Sequence, residues 1–180
     1  MFLLVSYHYK NPQMIPQFVR YLSLNLPDEF IVLCIGTDRC IGDALGPLVG
    51  SLLLQKHFPH LIYGTLGQPI HALNLKNTIT MLKQKHPNAF ILAIDASLGD
   101  SEQVGFITLR PGPIAPGKGV GKALPSVGDL SLIGIVAPND EKINSTIHHI
   151  RLSLIMDLAQ QITEVLMHHC HIAGDNKSTY

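Results

Sequence analysis

The sequence predicts an α/β protein: a three-layer α/β/α sandwich around a mostly parallel sheet. Apolar runs of strand length alternate with segments of helical period, the pattern of successive β-α-β crossovers. Hydrophobic residues make up 46% of the chain and charged residues only 14%, which suits a sheet covered on both faces. At 180 residues the chain is long enough to bury one substantial core without disulfide or metal staples.

Residues 12–26 place apolar groups at Met14, Ile15, Phe18, Val19, Leu22 and Leu24, a helical pattern that ends at Leu26-Pro27. Phe30–Ile35 is an unbroken apolar strand. Gly36-Thr37-Asp38-Arg39-Cys40-Ile41-Gly42-Asp43 is the turn that leaves it. Leu45, Leu48, Val49, Leu52 and Leu53 then recur at helical spacing, with Pro47 tolerated near the first turn. Leu61–Thr65 reads as a short strand, and residues 71–85 as a helix stopped before Pro87. Phe90–Ile94 is a third strand ending at Asp95, with Ala96–Gly99 as the turn after it, and Val104–Leu109 is a fourth. A Pro- and Gly-rich loop fills 110–129, a length usually reserved for function or disorder. Leu130–Val136 is the fifth strand, and apolar steps of three or four from Ile143 to Val165 make a closing helix. The chain is expected to be a single peptidase-like domain, 1–180, with its core at about 28–168 and a flexible tail at 172–180.

Lys+Arg and Asp+Glu both number 13, so no overall field favours nucleic acid or an anionic membrane. Three cysteines without a CxxC spacing fit a reducing compartment. The N-terminus lacks a basic segment followed by a signal-peptide core, and no apolar run reaches the roughly 20 residues of a membrane span. The expected setting is cytoplasmic. Charge balance leaves homo-oligomerisation open.

The most informative stretch is Ile35–Pro47, which places carboxylates on a Gly-rich turn between strand and helix. Ligands in open α/β sheets sit outside the carboxyl ends of the strands, and Asp95 ends the next clear strand. Parallel neighbours would bring the two strand ends within about 5 Å, or about 10 Å with one strand between them. Two such carboxylates cannot both ionise cheaply, and a split pair suits peptide hydrolysis: one takes a proton from water, the other polarises the carbonyl or donates to the leaving amine. The same pair can instead hold a divalent metal that activates the water. Taken singly, Asp43 reads first as an N-cap of the following helix and Asp95 as a cap of the turn at Ala96–Gly99; the coincidence of two acids at two such turns favours the functional reading.

Pro116–Lys122 looks like a phosphate loop but lacks the GxxxxGK[ST] spacing, so it reads as a lid or substrate-binding loop, or as a plain connection. His148-His149 and His168-His169-Cys170-His171 hold metal-ligand types, yet adjacent helical residues point about 100° apart and form no chelating face. His71 either faces the crevice or serves the start of its helix.

Cys34–Gly50, Tyr63–Leu66, Ile94–Gly99 and Leu124–Asp129, in that order, resemble the YyaC family of proposed spore proteases over residues 28–165. More distantly, Gly42–Pro47 and Pro116–Gly121 resemble the germination protease that degrades small acid-soluble spore proteins. The resemblance implies a phosphorylase/hydrolase-like fold, catalytic aspartates at Asp43 and Asp95, and a sporulating bacterium. Hydrogenase maturation endopeptidases resemble this pattern too, and would imply metal ligands at Asp43 and Asp95 with a downstream histidine as the third. No histidine stands between His86 and His148, and Asp129 or Asp38 would have to substitute. An aspartate pair without a cofactor is therefore favoured over a bound metal. Thr37, Asp38 and Arg39 are more characteristic of the YyaC family and are expected, with Gly117, Lys118 and Gly119, to bind substrate.

The functional expectation is a sporulation-linked endopeptidase acting on a protein or peptide through Asp43 and Asp95. The alternative is a non-catalytic protein on the same fold that binds a peptide or small anion.

Overall fold

The computed structural model describes residues 4–116, 124–139 and 150–177, with side chains as far as Ile172. Six strands form one sheet: β1 (Val5–His8), β2 (Phe30–Cys34), β3 (Leu61–Tyr63), β4 (Phe90–Gly99), β5 (Phe106–Pro111) and β6 (Leu130–Pro138). Their order is β1-β5-β6-β4-β2-β3, and β5 runs against all the others. Four helices accompany them among the described residues: α1 (Met14–Asn25), α2 (Leu45–Gln55), α3 (Leu75–Lys85) and α4 (Leu152–Lys177). This is the three-layer α/β/α arrangement that the alternating pattern predicts. None of the helices is long and apolar enough to cross a membrane among the described residues.

Strand alternation sorts the core into two layers. Val32, Cys34, Leu92, Ile94, Ile107 and Leu109 face one side, where α1, α2 and α4 pack with Phe18, Leu22, Leu45, Val49, Leu158 and Ile162. Ile31, Leu33 and Ile35 face the other and meet Leu75, Ile79 and Leu82 of α3. Each fully buried side chain of this size contributes about 1.5–3 kcal/mol, so the larger layer is the main hold between the sheet and three helices. That layer includes Met14 and Phe18, both fully buried, so the core begins well before residue 28.

α2 lies unusually close to β2 because glycines occupy its contact stripe. A Cβ on Gly46 would strike the backbone carbonyl of Ile35, and one on Gly50 would strike that of Gly64. Gly46→Val is therefore expected to lower stability by about 1–3 kcal/mol, read as a fall in denaturation midpoint at unchanged m-value.

Several boundaries differ from the sequence expectation. Val5–His8 is a strand, paired antiparallel with Phe106–Leu109. α3 begins at Leu75 because the Asn74 side chain accepts the His71 backbone N–H at 2.8 Å and donates to the Pro69 carbonyl at 3.0 Å, turning the preceding segment into a cap. The main correction concerns Asp95. It does not end its strand: β4 continues through Ala96–Gly99, paired to β6 as far as Gly99↔Pro138 with one register shift after Ser97. α4 continues to Lys177, so the segment expected as a tail starts as helix. The expected helix start at Ile143 and the His148-His149 pair lie outside the described residues.

Candidate functional site

β2 and β4 are adjacent and parallel, with Cys34 opposite Ile94, so Asp95 sits beside the residue that leaves β2. The chain leaving β2 turns sharply. The Ile35 backbone N–H donates to the Ile94 carbonyl at 2.8 Å and that of Gly36 to the Ile70 carbonyl at 2.7 Å, tying the exit to both flanks. Gly36 has φ +140°, and a Cβ there would strike the Asp43 carbonyl. The Thr37 N–H closes the loop onto that same carbonyl at 2.9 Å. Residues 37–43 thus form a short closed loop that swings Asp43 back over the end of β2. Gly42 packs against the tip of the Ile150 side chain, which would have to shift to admit a Cβ there.

Asp43 belongs to a single 3₁₀ turn, Ile41–Asp43, directly before α2. The N-cap residue of α2 is Ala44, and no side chain caps that helix. The Asp43 carboxyl is thus not committed to the capping role that the sequence left open. Asp95 is also free of a turn-capping role. It lies within β4, is only 6% exposed, and accepts the adjacent Ala96 backbone N–H at 2.9 Å.

Both carboxyls line one cavity of about 680 Å³ at the carboxyl end of the sheet. Its walls also include Cys40, His71, Ser97, Arg110, the Pro113–Pro116 segment and Leu124. Burial raises Asp43 to about pH 6, partly offset by the backbone of Thr37. Burial raises Asp95 well above the usual carboxylate range, and repulsion from Asp43 adds to it. Of the two, Asp43 therefore ionises first and Asp95 holds its proton longer.

The remaining predicted residues distribute differently. Thr37 is half-buried, whereas Asp38 and Arg39 stand exposed at the tip of the closed loop, where the Arg39 N–H donates to Thr37 Oγ1 at 3.3 Å. None of the three is among the cavity-lining residues. Gly117, Lys118 and Gly119 lie outside the described residues. The arms of their loop are described. Ile114 and Val127 exchange backbone hydrogen bonds at 2.9 and 3.0 Å, folding the segment back on itself at the cavity mouth.

The metal alternative lacks a ligand set here. Among the described residues, no three His, Cys, Asp or Glu side chains come together in a way that could hold an ion. Asp129 is bound at the wrong end of β4: its Oδ2 accepts the Ile91 N–H at 2.8 Å, four residues and about 13 Å of strand before Asp95. His71 does reach the cavity wall, with Nδ1 accepting the Leu73 N–H at 3.3 Å. In α4, His169 is buried near Ser23 while His168 faces the Glu164 carbonyl, so that run forms no common ligand face.

Ser97 and Arg110 were not singled out from the sequence, although strand alternation carried the signal. Ser97 follows Asp95 by two residues on β4. Arg110 shares a face with Thr108, opposite the buried Ile107 and Leu109.

The profile of a family described as "Protein of unknown function (DUF1256)" matches residues 6–165. The chain is also 44% identical over 137 residues to "Uncharacterized protein YyaC" of Bacillus subtilis (strain 168), an alignment covering 76% of this chain and 67% of that protein.

Proposed function

Since this chain belongs to the DUF1256 family, the one that includes YyaC, and carries a split carboxylate pair in its cavity, we propose that it is an aspartate-dependent endopeptidase. The observation that carries this reading is the meeting of Asp43, on the loop leaving β2, and Asp95, within the adjacent β4, in one cavity, with burial raising both and repulsion from Asp43 adding to the rise at Asp95. Its cytoplasmic, sporulation-linked setting rests on the resemblance to spore proteases.

The chemistry uses the two acids in complementary states. Ionised Asp43 takes a proton from water as its oxygen bonds to the scissile carbonyl carbon, and Asp95 gives its proton to the carbonyl oxygen. The tetrahedral intermediate then collapses. Asp43 passes its proton to the departing nitrogen, Asp95 recovers one from the hydroxyl, and the C–N bond breaks to give a carboxylic acid and an amine. Both aspartates end as they began. Each step uses the two carboxylates alone.

Activity should follow a bell in pH. It is expected to rise as Asp43 ionises near pH 6 and to fall on the alkaline side as Asp95 loses its proton, the two limbs belonging to the pair as a unit. A kcat/KM profile checks this, and activity that climbs steadily toward low pH would contradict the assignment.

The decisive experiment incubates purified wild-type protein and the Asp43→Asn variant with extract from sporulating cells, then compares new peptide N-termini by mass spectrometry. Cleavages confined to wild type are expected. Identical profiles would favour the binding protein without chemistry.

A further inference from the structure

Resting on the peptidase reading, we infer that Arg110 selects substrates carrying an acidic residue at one fixed distance from the scissile bond. Arg110 pairs with Ser131 on β6, and Asp95 pairs with Ile133 on the same strand. Two strand spacings and two residues separate them, about 12 Å from backbone to backbone, on the same face of the sheet. Both line the same cavity.

The charge on Arg110 is not paired with an acid among the described residues. The guanidinium donates to the Pro113 carbonyl at 3.3 Å. A guanidinium has five donors in a planar fork, so several remain for a ligand. Among the described residues the only acids lining the cavity are Asp43 and Asp95, and the Asp95 backbone stands about 12 Å from that of Arg110. A cation held on a strand, with no ion pair to either catalytic acid, suits a substrate carboxylate bound two-pronged. The bond to Pro113 also fixes the rim of the cavity, so a purely structural role is the competing explanation.

The test profiles cleavage of a proteome-derived peptide library by wild type, Arg110→Gln and Arg110→Glu, each first checked for an unchanged melting temperature. Wild type is expected to enrich Asp or Glu at one subsite. Arg110→Gln should erase that enrichment and lower kcat/KM for acidic substrates about 10- to 100-fold, leaving neutral ones near wild type. Arg110→Glu should shift the preference toward Lys or Arg, which loss of a rim contact alone cannot do. Cleavage without an acidic preference, or a preference that survives Arg110→Glu, would overturn the inference. Absence of cleavage by any of the three proteins would instead count against the peptidase itself.

Discussion

Asp43→Asn and Asp95→Asn are each expected to reduce peptide cleavage by at least a hundredfold while leaving the protein folded. A positioned general acid or base is commonly worth 10²–10⁴ in rate, and both roles are needed in each half of the reaction. Asn keeps the shape of Asp and can still accept the Ala96 N–H, so the loss would reflect the missing exchangeable proton and not a rearranged strand. Since the acids act as a unit, the double variant should be little worse than either single one. The measurement is the initial rate on a cleaved peptide, with circular dichroism confirming the fold. Full activity in either variant would sink the aspartate mechanism.

The same substitutions should stabilise the protein above acid pH. Unfolded, Asp43 releases its proton near pH 3.9; folded, it holds it to about pH 6. Between those values the folded state binds more protons, so stability is greatest below the interval and declines as pH rises through it. The loss at neutral pH is on the order of 2–3 kcal/mol, about 5–10 °C in melting temperature for a chain of this size. Asp43→Asn should remove that decline, and its melting temperature should exceed that of wild type at pH 7 but not at pH 4. Asp95 continues the destabilisation to higher pH, because its own release is delayed further. Melting curves across pH 4–9 for wild type and both variants check the sign. Variants less stable than wild type at pH 7 would show that the acids hold structure together. An activity loss paired with a stability gain would mark residues retained for chemistry at the expense of the fold.

The parts of this molecule that were legible in sequence are those where period and burial coincide. β2 is apolar at every position because both its faces are covered, and α2 repeats Leu45, Val49 and Leu53 along one stripe. β1 was missed because a four-residue edge strand with half-buried side chains has little pattern to offer. The second half of β4 was misread for a chemical reason. Asp95, Ser97 and Gly99 are turn-forming residue types, yet here they alternate with Ala96 and Leu98 on a strand that β6 pairs to its end. Propensity pointed to a turn and long-range pairing overrode it. Asp43 and Asp95 were found because each follows an unbroken apolar run that reads as a strand, whereas the adjacency of those strands needed the fold. Arg110 was hidden because a polar residue on a strand says nothing about which cavity its open face borders.

Strand order has a consequence for how such a protein can change over time. β2 and β4 are neighbours, but the connection from β2 leads through α2 to β3 at one edge, and that from β4 leads to β5 on the opposite side. The gap between two diverging connections is the switch point at which open α/β sheets bind their ligands. The connection after β4, and the part of the other that lies beyond α2, can lengthen or shorten without crossing, while the closed 37–43 loop holds Asp43 and the sheet's hydrogen bonds hold Asp95. What enters the cavity and what happens there are thus under separate architectural control, so new specificities can arise by loop exchange on a fixed acid pair.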